Sequence, residues 1–234
     1  MEFGSLMGKG HSVQSFSGHL AGHSVKPAYT ALEVLLIYAG ILYYIWRWQF
    51  THPFVWIALF AAILLTHIWH HDSLRTLGLT RAELRPSAEI VLTLGVILYV
   101  PILLYGFARH RLVAVAPNWH TLESLLGYGI WCVFQQYLTQ SYFHNRLREI
   151  IRNPHVSSVL IGIMFSSAHI PSPILMVATG IGGFIFAEIF VRHRNIWPLA
   201  LAQAVGGFLI AAVSPDAILH HMRVGPGYYF YRLR

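Results

Sequence analysis

The sequence predicts an all-α, polytopic transmembrane bundle of about seven spans. Three observations carry that prediction, the first two being that 56% of its 234 residues are hydrophobic and 11% charged, and that the mean hydropathy is +0.54. A water-soluble domain carries roughly 25% charged residues, so soluble fold classes drop out. The third observation is the spacing of the apolar segments. They fall near 29–49, 53–70, 88–108, 122–143, 156–170, 173–191 and 195–213, and most approach the ~20 residues that cross a hydrocarbon core.

The polar stretch 1–28, rich in Gly, Ser and His, reads as a solvated N-terminal tail. MEFGS at 1–5 resembles a restriction-site remnant, which would place a native start at Met7. His11, His19 and His23 read as part of that tail and not as metal ligands. No cleavable signal peptide is expected, because a charged start followed by an apolar core is missing. Residues 29–213 form the membrane domain and 214–234 a C-terminal tail, with Tyr228, Tyr229, Phe230 and Tyr231 beside Arg232 and Arg234 as an aromatic anchor. The fifth span is short and ends at HIPSP, which predicts a helix that stops inside the protein beside a polar cavity. Between the second and third spans, HHDSLRTLGLTRAELRPSA is too polar to cross and reads as an amphipathic interfacial segment.

With the N-terminus cytoplasmic, that side holds ten Lys and Arg (Lys9, Lys26, Arg75, Arg81, Arg85, Arg146, Arg148, Arg152, Arg192, Arg194) against six on the other. The sequence therefore predicts an N-in, C-out integral membrane protein. Trp46, Trp48, Trp56, Trp69 and Trp197 fall near span ends, as an aromatic belt would have them. The net charge of +7 follows from Arg near anionic lipid heads, and nucleic acid is excluded as a partner. The lone Cys132 rules out an internal disulfide and a thiolate metal cage, and reads as a small buried hydrophobe.

Polar side chains within the spans cluster in three helices. The fourth span carries Gln135, Gln136, Gln140 and His144, the last three repeating every four residues on one face. The fifth carries Ser166 and His169 in FSSAH, and the seventh carries Gln203. Polar groups at membrane depth are costly unless they meet one another, which predicts one shared cavity lined by Gln135 or Gln136, His169 and Gln203. The plainer alternative is interhelical hydrogen bonding alone, at about 0.6 kcal/mol per bond. Glu188 is read as the carboxylate well inside a span, neutralised by Arg192 four residues on.

Order and spacing of these residues resemble the CPBP family of intramembrane proteases, which includes CAAX prenyl endopeptidases and bacteriocin-processing enzymes. Phe165-Ser-Ser-Ala-His169 matches the family's second motif, Phe-x-x-x-His. RHRNIWPLALAQ is similar to the lead-in of its third motif, and RTLGLTRAELR to its interfacial connector. The resemblance spans roughly residues 70–213 and implies a CPBP-protease-like core. It also implies that Gln135, Gln136, Gln140, Phe165, His169, Gln203 and Gly207 are the site positions. The family has a Glu pair at 135 and 136, Arg at 140, His at 203 and Asn at 207. Here the first motif has lost its acids, and the third its His and Asn.

A carboxamide has no pKa with which to accept a proton from water and no charge with which to hold a divalent metal. Family members can use a divalent metal; the ligand set here is incomplete, so no cofactor and no metal site are predicted. Deliberate Glu-to-Gln exchange would explain Gln135 and Gln136 but not Gln140, Gln203 and Gly207. The sequence thus predicts a catalytically degenerate pseudoprotease with a non-enzymatic role: binding or stabilising another membrane protein or a small hydrophobic ligand in the lipid bilayer. The enzymatic alternative is a CAAX-type intramembrane endopeptidase, variant or inactivated. A third reading, prompted by 15 His and 14% aromatic residues, is a pigment- or haem-carrying subunit. His70, His71, His110, His120, His193, His220 and His221 are set against that reading as interfacial residues at span ends or in loops.

Overall fold

A computed structural model describes residues 25–111 and 118–230. The predicted tail positions His11, His19 and His23, together with Tyr231, Arg232 and Arg234, lie outside the described residues. The described chain is helical and holds no strand. Helix α1 spans Pro27–Tyr43 and runs on through a π-helical turn, Tyr44–Trp48; α2 spans Val55–Trp69 and α3 Leu84–Ala108. Helix α4, Trp119–Gln136, passes through a π-helical segment, Tyr137–His144, into α5, Asn145–Ile150. Helices α6 (Pro154–Ser167), α7 (Pro173–Arg192) and α8 (Ile196–Val213) complete the bundle. All seven apolar segments are helical. By length and composition four helical stretches suit a membrane crossing (27–48, α3, α7 and α8), and α2 and α6 are shorter apolar helices. The lipid-facing character is visible in exposed Leu, Ile and Phe along α1, α2 and α3, which is stable only in an apolar solvent.

Local sequence explains the helix ends. Asn118, Asn153 and Asn195 each accept a backbone N–H at the start of α4, α6 and α8. Pro27, Pro154 and Pro173 stand in the first turns of α1, α6 and α7, where a missing N–H costs nothing. The HIPSP sequence ends α6 at Ser167, as expected, and residues 168–172 form turns. Helices α6 and α7 then pack backbone to backbone. A Cβ on Gly162 would stand 2.7 Å from the Gly180 carbonyl oxygen, a close approach typical of small-residue contacts between membrane helices.

A first correction concerns the connector 70–83: expected as an amphipathic interfacial segment, it is a series of turns in which Leu77 and Gly78 are buried. Its backbone carbonyls are taken by side chains of other elements. Ser141 Oγ donates to Leu77 O (2.6 Å), and Asn145 Nδ2 and Arg194 Nη1 both donate to Thr76 O (3.1 Å each). Asn195 Nδ2 donates to Thr80 O and Ala82 O, each at 2.9 Å. Gly78 has φ +69°, and a Cβ there would meet Phe190 at 2.6 Å, so only glycine fits this turn.

A second correction concerns charge. Arg146, expected among interfacial arginines, has a fully buried side chain, and Glu33 is buried within α1. Arg146 Nε donates to Glu33 (3.1 Å), Nη2 to Asp72 (2.6 Å) and Nη1 to Glu149 (3.0 Å). His70, expected at an interface, bridges Glu33 (2.8 Å) and Glu149 (2.9 Å). His67 meets Asp72 at 2.7 Å, and Tyr142 donates to Glu33 at 2.9 Å. Glu188 does pair with Arg192 (3.7 Å), but His155 is closer at 3.0 Å.

The stretch 216–230, expected as tail, folds back through α9 (Asp216–Leu219), a 3₁₀ turn (His220–Met222) and α10 (Pro226–Phe230). His220 is buried and stacks on Tyr228 with ring centroids 3.8 Å apart, and Phe230 meets Phe50 edge-on at 6.2 Å. Gly225 N donates to Ile170 O at 2.8 Å, so this segment docks on the turn that follows α6.

Removing Arg146 would leave Glu33 and Asp72 buried without their counter-charge. Arg146→Met is expected to cost about 3–5 kcal/mol, read as a large loss of thermal stability in detergent. Burial alone would raise the Asp72 carboxyl. Hydrogen bonds from His67 and Arg146, with the Arg146 charge, outweigh burial and hold it below its ordinary value. Its stabilisation is therefore present above the unfolded value, near 3.9, and is lost as pH falls through the lower folded value. Melting temperature measured from pH 7 down to 3 should fall at the acid end, and less so in Asp72→Asn, which starts lower.

Candidate functional site

Helices α4 and α8 bring the glutamines together. Gln136 Nε2 donates to Gln203 Oε1 at 2.6 Å, and Gln203 Nε2 donates to Gln135 Oε1. One carboxamide on α8 thus spends both ends on two successive carboxamides of α4. Gln136 is fully buried, and its Oε1 has no partner in the described structure.

Gln135 faces elsewhere as well. It lines a cavity of about 630 Å³ enclosed by α1, α2, α4, the π segment and the end of α6. His169 and Phe165 line the same cavity, as do Thr139, Tyr38 and Trp131. Its walls are overwhelmingly apolar, and Val224 of the folded-back C-terminal segment contributes to them. The expected shared cavity therefore contains Gln135 and His169, whereas Gln203 joins it only through its bond to Gln135. Gln136 and Gln203 are not among the lining residues.

His169 Nδ1 donates to Phe165 O at 2.7 Å, and the Phe165 ring stands edge-on to the imidazole at 5.0 Å. A carbonyl can only accept, so this bond places the proton on Nδ1 and leaves Nε2 as the acceptor. The four-residue spacing of Phe165 and His169 explains both contacts, since the motif's first residue supplies the carbonyl and the ring.

Gln140 sits apart from the clasp. Its Oε1 pairs with His144 Nδ1 at 3.1 Å, and His144 Nε2 lies 3.2 Å from Ser157 Oγ, all of them buried. The shared face of Gln136, Gln140 and His144 is thus an inward face, but it divides between two bonded groups. The π segment between them was not legible in the sequence. Thr139 Oγ1 donates to Gln135 O (2.9 Å) and Asn145 Nδ2 to Ser141 O (2.9 Å), which occupies carbonyls at both ends of the widened turn.

Gly207 is filled from α4. A Cβ at this position would overlap the Tyr128 hydroxyl and stand 2.7 Å from Cζ. Tyr128 occupies the volume that a side chain at 207 would need. Sequence reasoning missed this residue; the only signal was that a large aromatic and a glycine exchange bulk across two packed helices. Cys132, buried as expected, is a free thiol on the same helix.

Residues 117–209, from the start of α4 through most of α8, match the model of a protein family described as Type II CAAX prenyl endopeptidase Rce1-like. This segment is CAAX-protease-like. No curated protein and no solved structure matches the chain. The match covers the helices that carry the clasp, the Phe165–His169 pair and Gly207, and it agrees with the membrane-bundle fold.

The CAAX-protease-like segment does not fit a divalent metal at these positions. One imidazole and neutral amides are available, and the Oε1 atoms of Gln135 and Gln203 already accept amide protons. Among the described residues no group of three or more His, Cys, Asp or Glu has metal-binding geometry.

If Tyr128 fills the space at 207, Gly207→Asn should overpack the α4–α8 contact at a cost of about 1–3 kcal/mol. Combining it with Tyr128→Ala should recover part of the lost melting temperature. Additive losses in the double variant would show that the two sites do not share that volume.

Proposed function

We propose that this CAAX-protease-like membrane protein binds an apolar chain in the α1–α2–α4–α6 cavity and does not hydrolyse peptides. The observation that carries the reading is the Gln135–Gln203–Gln136 clasp at the cavity's edge. The resemblance implies that acids and an imidazole would activate water at these positions. Three amides bonded to one another offer no group that titrates near neutral pH. His169 alone supplies one acceptor. An apolar cavity of several hundred Å³ with a few polar groups at one end is the usual form of a hydrophobic-ligand site. The occupant is the lipid-like moiety of a membrane partner or a small hydrophobic molecule.

A fluorescent farnesylated peptide tests binding and cleavage together. The purified protein should bind it without cutting it, with or without added zinc. Gly127 lines the cavity, and a Cβ there meets nothing within 4 Å. Gly127→Trp should therefore fold and weaken binding about tenfold or more by filling part of the cavity, with the order of the loss set by the 1.4 kcal/mol per decade of affinity. Restoring Glu at 135 and 136 should not produce cleavage while Gln203 lacks the imidazole. Cleavage by the wild-type chain that disappears in His169→Ala would overturn the reading in favour of an endopeptidase. Binding left unchanged by Gly127→Trp would remove the cavity as the site.

A further inference from the structure

The charges on the connector side of the bundle do not balance locally. Arg146 and His70 hold Glu33 and Glu149, and Arg146 and His67 hold Asp72. His155 and Arg192 hold Glu188, and His193 holds Glu83 at 2.9 Å. Glu89 pairs with Arg85, Glu123 with His120, and Asp216 with His221. Every carboxylate among the described residues is thereby engaged, and neither Arg148 nor Arg194 forms an ion pair with one.

Both residues are partly buried. Arg194 Nη1 donates to Asn145 Oδ1 (2.8 Å) and to Thr76 O (3.1 Å), and its guanidinium lies 5.8 Å from the centre of the Phe190 ring. Asn145 and Arg148 are three residues apart on α5, so Arg148 emerges on the face that Arg194 touches. Arg148 Nη1 donates to the Arg152 carbonyl at 3.2 Å. Burial first, and then the Arg148 charge, press the Arg194 guanidinium below its ordinary value, with Asp72 opposing. With Arg194 on Asn145 and Arg148 one turn along the same helix face, two like charges share one face of α5, and an anion placed between them would offset their repulsion. Arg194 lies in the short turn between α7 and α8, two stretches long and apolar enough to cross a membrane, which sets it at headgroup depth. Trp197, half-exposed, is one turn further on.

We propose that Arg148 and Arg194 form a binding site for a phosphate group, supplied by the headgroup of an anionic phospholipid. The planar guanidinium fork suits phosphate oxygens. Arg194 is pre-positioned by its bonds to Asn145 and Thr76, and Arg148 closes the site from α5.

The test titrates dihexanoyl phosphatidic acid, dihexanoyl phosphatidylcholine or inorganic phosphate into the full chain in an uncharged detergent, with tryptophan fluorescence as readout. The expected result is saturable binding of phosphatidic acid, weakened about tenfold in Arg148→Gln, as loss of a charge-assisted hydrogen bond implies. Arg148→Lys should keep part of the affinity. Arg47→Gln, which removes an equal charge elsewhere, should bind like wild type. Binding equal across phosphatidic acid and phosphatidylcholine, or equally reduced in Arg47→Gln, would overturn the site. Saturable binding of inorganic phosphate without any preference for the lipid would overturn the headgroup as its source. Should Arg148→Gln fail to fold, native mass spectrometry of the wild-type protein decides instead. Retention of one anionic phospholipid from a mixed extract supports the site, and retention of none overturns it.

Discussion

The Arg146 guanidinium is the interaction on which the arrangement of the N-terminal half depends. It reaches Glu33 on α1, Asp72 in the connector and Glu149 on α5, and its Nη2 lies 3.3 Å from the Thr66 carbonyl on α2. Taking a guanidinium out of water costs several kcal/mol even after relaxation. That cost is met only when its donors are placed on acceptors, and here the acceptors come from four elements. A displacement of any one of them would strand a charge. The network therefore specifies position more than it adds net stability, and it holds in place the wall formed by α1 and α2 around the cavity.

From this anchor the chain runs back along α5 into the π segment and then to the clasp. The same stretch, 135–146, carries both polar systems, and they are chemically opposite. Arg146 gathers ionised partners at the end of the bundle closed by the connector. Gln135, Gln136 and Gln203 lie deeper and are neutral. An ionised pair at that depth would need its own counter-charge, whereas the amides bond to one another with no charge to neutralise, at the cost of one buried oxygen, Gln136 Oε1, without a partner among the described residues. The π segment separates the two systems by widening the helix between them.

Much of this was legible from residue type and spacing. The apolar runs gave seven helices, HIPSP gave the end of α6, and the four-residue spacing gave the inward face of Gln136, Gln140 and His144. The meeting of Gln135 and Gln136 with Gln203 followed from the cost of isolated amides in lipid. The Arg146 network did not follow. Glu33, Asp72 and Glu149 lie 113, 74 and 3 positions away from Arg146 in the sequence, and nothing local distinguishes a buried arginine from an interfacial one. Nor did the sequence reveal that Tyr128 occupies the space beside Gly207, because a glycine announces room without saying what fills it. The turn structure of 70–83 was hidden for a related reason. Its carbonyls are satisfied by Ser141, Asn145, Arg194 and Asn195, all distant in sequence, so the local amphipathic pattern was a poor guide.

In the binding reading, amides at the positions where the family resemblance implies acids also set what the cavity can hold. A carboxylate at the end of an apolar chamber keeps water with it, because its charge loses more on desolvation than a neutral amide does. The clasp removes that demand: Gln203 has used both ends of its amide, and the Oε1 of Gln135 is occupied. His169 then remains as a polar group whose ring acceptor is not committed to the Phe165 carbonyl. Such a chamber favours an occupant that is apolar along most of its length and offers a donor at one end. A prenyl or acyl chain attached to an amide or hydroxyl has that form, while a charged peptide terminus does not. In this reading the selectivity comes from the neutral amides at 135, 136 and 203, and the same amides offer no group to accept a proton from water.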